Sequence, residues 1–127
     1  MLSLPLASSI LLFLFTALLL FHLFVLFEIV PYSIIWAGKA KNRSEMLRME
    51  IVSIIVTLLA ATVVALHANY IPNALPTNLL DIAIWVLFAF FVLNTFGNLT
   101  AKHPLEKYGF VVLTAILALL LLNIALT

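Results

Sequence analysis

The chain has 127 residues, 66% of them hydrophobic and 9% charged, with a mean hydropathy of +1.30. Soluble domains carry about 45–50% apolar and about 25% charged residues, which excludes a water-soluble globule. Six Lys and Arg against five Asp and Glu leave a net charge of +1, no electrostatic footprint for nucleic acid, and zero cysteines remove disulfides, thiolate metal sites and Cys nucleophiles.

The expected fold class is all-α: an integral membrane four-helix bundle, up-down-up-down, forming a single transmembrane domain over 1–127 with the lipid bilayer as its first partner. The first apolar stretch, from Leu4 to Trp36, holds only His22 and Glu28 as ionisable groups. As one helix it would measure roughly 50 Å, well beyond a hydrocarbon core of about 30 Å. Pro31 resolves the excess, because it breaks helical hydrogen bonding and biases Val30 away from helix. A span over 6–30 is therefore expected, then an interfacial segment 31–36 in which Tyr32 and Trp36 serve as anchors or headgroup contacts. No Lys or Arg precedes this run, and it exceeds the apolar part of a signal peptide, so a permanent helix is expected.

The second span, 44–67, opens at Asn42 with Glu45 three residues on, an N-cap pattern, and ends before Pro72. The third, 78–97, starts at Asn78 with Asp81 in its first turn, where the helix dipole favours a carboxylate, and stops at Gly97. The fourth, 104–126, has His103 as cap, Pro104 at its first position and Glu106 in its first turn.

Lys39, Lys41, Arg43 and Arg48 flank the first connection, and Lys102 and Lys107 the third, whereas the tip of the middle connection and both termini carry none. The positive-inside rule then puts the basic connections in the cytoplasm and both termini outside. So strong a bias argues against an antiparallel dimer of this one chain. The glycosylation patterns Asn42-Arg43-Ser44 and Asn98-Leu99-Thr100 fall on the cytoplasmic side and read as chance matches.

An antiparallel arrangement gathers the polar chemistry at that end. His22 and Glu28 lie late in the first helix, Glu45, Arg48 and Glu50 early in the second, Asn94, Thr95 and Asn98 late in the third, and Lys102, His103, Glu106 and Lys107 early in the fourth. His22, Glu28, Glu50, Asn94, Asn98 and Glu106 are the candidates for a polar, proton-handling vestibule, since ionisable groups at membrane depth face protein or a wet cavity. The bland alternative has His22 bonded to a helix carbonyl or an Asn, and Glu50 paired with Arg43, Lys102 or Lys107. Asn94 and Asn98 are equally suited to interhelical hydrogen bonding. Lys102, His103 and Lys107 are placed to meet lipid headgroups. Ser53, Thr57, Ala61 and Ala65 recur every fourth residue, a ridge of small side chains that lets another helix approach. Glu50 precedes this ridge by three residues and so points toward a partner helix. The outer half offers His67, Asp81 and Asn123, each near an interface, and the middle is dry.

Neither a cofactor nor a metal site is expected, because no Glu-x-x-His or His-x-x-x-His pair sets two ligands on one helix face. Ala40-Lys41 with Glu45 and Ala101-Lys102 with Glu106 match at three of six positions, which fits either two duplicated hairpins or the ordinary rules of charge at helix starts. Three functions follow. The foremost is a small transporter or channel component with a cytoplasmic-side polar vestibule. The second is a non-catalytic accessory or scaffold subunit, with a homo-oligomer or a larger membrane protein as partner. The third is a protein that binds or modifies lipid headgroups.

Overall fold

The computed structural model describes residues 1–31 and 40–127, so Tyr32, Trp36 and Lys39, and with the first two most of the expected interfacial segment, lie outside the described residues. Every regular element in the described part is helical: α1 (Leu4–Leu26), α2 (Arg43–His67), α3 (Thr77–Leu99), a π-helical turn (Leu105–Gly109) and α4 (Phe110–Ala125). The turn and α4 run on as one rod, which gives four helices of 21 to 25 residues, each long and apolar enough to cross a membrane. At 1.5 Å per residue they measure about 31–38 Å, a hydrocarbon core or slightly more. These lengths and compositions fit a multi-pass membrane protein.

Local chemistry sets the helix starts. Ser3 Oγ accepts the Leu6 N–H at 3.3 Å, and Pro5 sits in the first turn of α1, where no intrahelical donor is needed. Asn42 Oδ1 accepts the Glu45 N–H at 3.0 Å, and the Glu45 carboxylate reaches back to the Lys41 N–H at 2.8 Å. This is a capping box displaced by one residue. His103 caps the fourth rod, its Nδ1 accepting the Leu105 N–H at 3.2 Å.

The helix ends depart from expectation. α1 stops at Leu26, four residues short of the expected limit, and Pro31 is not what stops it. Glu28 takes a left-handed conformation (φ 61°), so that its N–H reaches the Val25 carbonyl and the Ile29 N–H reaches Phe24. This is a Schellman ending with a glutamate where glycine is usual. α2 ends the same way through Asn69 (φ 60°), a residue type that tolerates that region. Gly97 does not stop α3, which runs on to Leu99 with Thr100 closing it. Asp81 lies beyond the first turn of α3, whose N-cap is Pro76 rather than Asn78, and is used by α2 instead.

α1 packs chiefly on α2, and α3 on α4, with α1 also against α4. The largest core lies toward the Asn123 end of the molecule: Leu11 and Phe15 of α1, Ala60 and Val64 of α2, Ile84 and Phe91 of α3, Leu117 and Leu121 of α4. The buried line on α2 is Met46, Glu50, Thr57, Ala60 and Val64, with Ala65 at its rim. Thr57 and Ala65 of the expected ridge are therefore buried, Ser53 and Ala61 half-buried, and Ala60 rather than Ala61 is fully enclosed. The outward faces carry Phe13, Ile55, Leu59, Leu93, Phe96 and Leu119, side chains that suit acyl surroundings.

Polar clasps tie the Asn123 end. The Asn123 amide exchanges two 3.0 Å hydrogen bonds with the backbone N–H and C=O of Leu2. The Tyr70 hydroxyl donates to the Pro5 carbonyl and receives the Ser9 hydroxyl. His67 Nε2 donates to Asp81 Oδ1 at 3.0 Å, joining α2 to α3.

Glu28 offers a direct test of the α1 ending. Left-handed backbone costs a non-glycine residue about 1–2 kcal/mol, while its half-exposed ion pair with Arg43 contributes at most about 1 kcal/mol. Glu28→Gly is expected to leave stability in detergent unchanged or raise it. Glu28→Val is expected to lower it by about 1 kcal/mol or more, since a β-branched residue is strained there. The reverse order in thermal unfolding would mean that the ion pair, not the backbone, holds this turn.

Candidate functional site

Helical spacing brings one face of each helix to a common cavity of about 190 Å³. α1 contributes Leu18 and His22, and α2 contributes Ser53 and Thr57 with Val52 and Val56 beside them. α3 contributes Phe91, Asn94 and Asn98 with Phe90, and the fourth rod Glu106, Phe110 and Thr114. Leu18 and His22, Ser53 and Thr57, Phe91, Asn94 and Asn98, and Glu106, Phe110 and Thr114 follow one another at intervals of three or four, the spacing at which side chains share one helix face. The π-helical turn adds to this: its wider winding shifts the register between His103 and Phe110, and Glu106 within it lies on the cavity wall, 2% exposed.

Behind the wall, His22 Nδ1 hydrogen-bonds Glu50 Oε2 at 2.7 Å, with the imidazole 10% exposed and the carboxylate 0%. When the Glu50 carboxylate is ionised it only accepts, and Nδ1 then carries the proton of this bond. Burial strengthens such a bond and raises the cost of breaking it. The bond also links α1 to α2 just before the cavity wall begins at Val52. Glu50 therefore supports His22 rather than lining the cavity.

Specific contacts close the cavity on several sides. Toward the Asn123 end it is closed by the core, with the Phe15 and Phe91 rings 5.7 Å apart. Val25 and Met46, both 0% exposed, close the contact between α1 and α2. Phe21 and Phe110, 5.3 Å apart, close that between α1 and α4. Thr95 donates to Thr114 at 2.9 Å and closes the seam of α3 and α4. Among the described residues the seam between α2 and α3 carries no such contact beside the cavity, and there the wall residues Val52 (55% exposed) and Phe90 (39%) stand at the surface.

Of the residues expected in a vestibule, His22, Asn94, Asn98 and Glu106 share this cavity, and Glu50 adjoins it through His22. Glu28 is not among them: it lies past the end of α1, exposed, with its Oε1 2.8 Å from Arg43 Nε. Glu50 meets His22, not Arg43, which is taken by Glu28. His22 likewise meets a carboxylate rather than a carbonyl or an amide. Lys102 is exposed, Lys107 half-buried with its ammonium 5.6 Å from the Tyr108 ring centre, and His103 occupied as a cap. Among the described residues no group of three His, Asp or Glu could hold a metal ion.

A second cleft, of about 490 Å³, lies at the opposite end among His67, Asn69, Asn73, Asp81 and Trp85. Sequence reading placed His67 and Asp81 near an interface without joining them. Their 14-residue separation around a proline-containing turn is the signal that pairs them across the α2–α3 connection. No protein-family model, curated protein or solved structure matches the chain, so the function rests on geometry and chemistry alone.

The His22–Glu50 bond is open to a double-mutant cycle. His22→Leu removes the imidazole from a buried carboxylate and is expected to cost about 1.5–3 kcal/mol, the loss of a hydrogen bond to a charged group. His22→Leu with Glu50→Leu should cost less than the sum of the two single changes, read from unfolding in detergent. Simple additivity would deny the coupling.

Proposed function

We propose that this chain is a small transporter or channel component of a membrane, its four helices running up-down-up-down with both basic connections in the cytoplasm and both termini outside. In this reading the 190 Å³ cavity is its cytoplasmic-side vestibule. The observation that carries the proposal is the convergence of His22, Asn94, Asn98 and Glu106, one or two from each of three rods, on a single cavity in so apolar a chain. Ionisable groups inside a hydrocarbon slab are costly, and where they occur they mark solute or proton pathways. At about 30 Å³ per water the cavity has room for roughly six waters, enough to hydrate the wall.

The apolar core around Phe15 and Phe91 favours a second reading. It seals one protomer, so a complete path requires a second copy of the chain or a larger partner. On the accessory reading the vestibule belongs to a path that the partner completes.

The absence of native cysteine makes the sidedness directly testable. Asn98→Cys is expected to react with a membrane-impermeant thiol reagent applied from the cytoplasm, and Thr127→Cys only with reagent applied outside. Phe91→Cys, at a position 3% exposed, is expected to stay silent. Labelling of Thr127→Cys from the cytoplasm would overturn the topology. Purified protein in vesicles with an entrapped pH dye is expected to pass protons above the protein-free rate, and bulky modification of Asn98→Cys to block that flux. Cytoplasmic labelling without any flux would favour the accessory subunit.

A further inference from the structure

The cleft at the Asn123 end has a charge balance of its own. No Lys or Arg occurs in 1–38, 51–101 or 108–127, and Asp81 is the one acidic side chain on the four helix ends that meet here. The side chains of this end therefore hold one fixed negative charge and no fixed positive one. Asp81 is only partly engaged. Its Oδ1 accepts from His67 Nε2 at 3.0 Å, and the side chain stays half-exposed on the cleft wall. A carboxylate has about four acceptor positions, so this bond leaves room for a ligand. The other imidazole nitrogen, Nδ1, is buried with no hydrogen-bond partner among the described residues. A bare lone pair suits that place better than an N–H of a charged ring, because an orphaned charged donor is the costlier of the two. The pair then keeps the negative charge of Asp81.

α3 sets an aromatic ring beside that charge. Thr77, Asp81 and Trp85 follow at intervals of four along it and all line the cleft, so carboxylate and indole share one face. Trp85 is 42% exposed, its plane nearly perpendicular to that of Phe88. A carboxylate next to an indole suits an organic ammonium, whose charge meets the carboxylate while its alkyl groups rest on the ring. An anion would meet Asp81 with no cation to balance it, and the Leu79 and Leu80 N–H groups at the start of α3 already donate to the Pro76 carbonyl. A metal ion would want more ligands, and no group of three His, Asp or Glu occurs among the described residues. The volume of about 490 Å³ falls within the roughly 300–1,000 Å³ of small-molecule sites.

We propose that this cleft binds a small organic ammonium of the choline type, its charge against Asp81 and its alkyl groups against Trp85. The proposal is independent of the vestibule at the opposite end. Such a head can arrive as a free solute or on a lipid, since the cleft lies where α2 ends and α3 begins.

The test uses the full chain with Trp36→Phe, which leaves Trp85 as the sole indole, in maltoside micelles that carry no ammonium. Choline is expected to change the Trp85 emission saturably, and its uncharged tert-butyl analogue to leave it unchanged. Asp81→Asn keeps an oxygen for His67 Nε2 and should weaken choline about tenfold or more without lowering the unfolding temperature. Trp85→Leu leaves the His67–Asp81 bond in place and should weaken it about two- to fivefold, read by calorimetry. Equal binding of the uncharged analogue would overturn the proposal, as would undiminished choline binding in both variants. Phosphatidylcholine added to the micelles separates the sources. Displacement of choline supports a lipid head as the ligand, and unchanged choline binding supports the free solute.

Discussion

Hydrogen bonds between helices are the interactions on which this architecture depends. The outer faces are as apolar as the core, and in the acyl surroundings we propose, burying one leucine rather than another gains little. Polar contacts then decide which faces meet, because an unsatisfied polar group is costly there. The buried bond of His22 to Glu50 joins α1 to α2, Thr95 to Thr114 joins α3 to α4, and the Asn123 amide fastens the start of the chain to the last helix. Small side chains such as Ala60 and Thr57 allow the close approach these bonds require.

The same economy explains the cavity. Among the described residues, three of the four flanks carry a specific contact, an imidazole–carboxylate bond, a tilted pair of phenylalanines and a threonine pair, whereas the polar side-chain bond between α2 and α3 lies at the far end, through His67 and Asp81. The unbonded seam leaves space, and the polar ends of the helices fill its walls with amides, an imidazole and a carboxylate. Site and scaffold are thus one arrangement of polar groups, some spent on holding helices together and some turned toward the gap.

Much of this was legible from residues alone. Four helices followed from the lengths of apolar runs, and the α2 start from Asn42 with Glu45. His22, Asn94, Asn98 and Glu106 could be grouped because antiparallel helices bring late positions of one beside early positions of the next. What stayed hidden depended on contacts across space. The α1 ending misled because Pro31 is a conspicuous breaker, while a glutamate in left-handed conformation carries no mark in the sequence. Glu28 left the site for the same reason: four lost residues of helix moved it past the end and beside Arg43. Nothing in the spacing joins Glu50 to His22, since it is the packing of α1 on α2 that sets the imidazole at the matching depth. The π-helical turn had no signature beyond its place after Pro104.

That turn makes the chemistry of the cavity depend on how the backbone winds as well as on which side chains it carries. A π turn holds one residue more than the α-helical turn it replaces. Deleting Lys107 or Tyr108 would let the turn close to ordinary α-helix with the segments before and after it still in register, whereas winding it to α-helix with every residue kept would swing everything before it by about 100° relative to Phe110 and Thr114. The acidic position on the wall is thus held by a local loosening of the backbone as much as by the residue that occupies it.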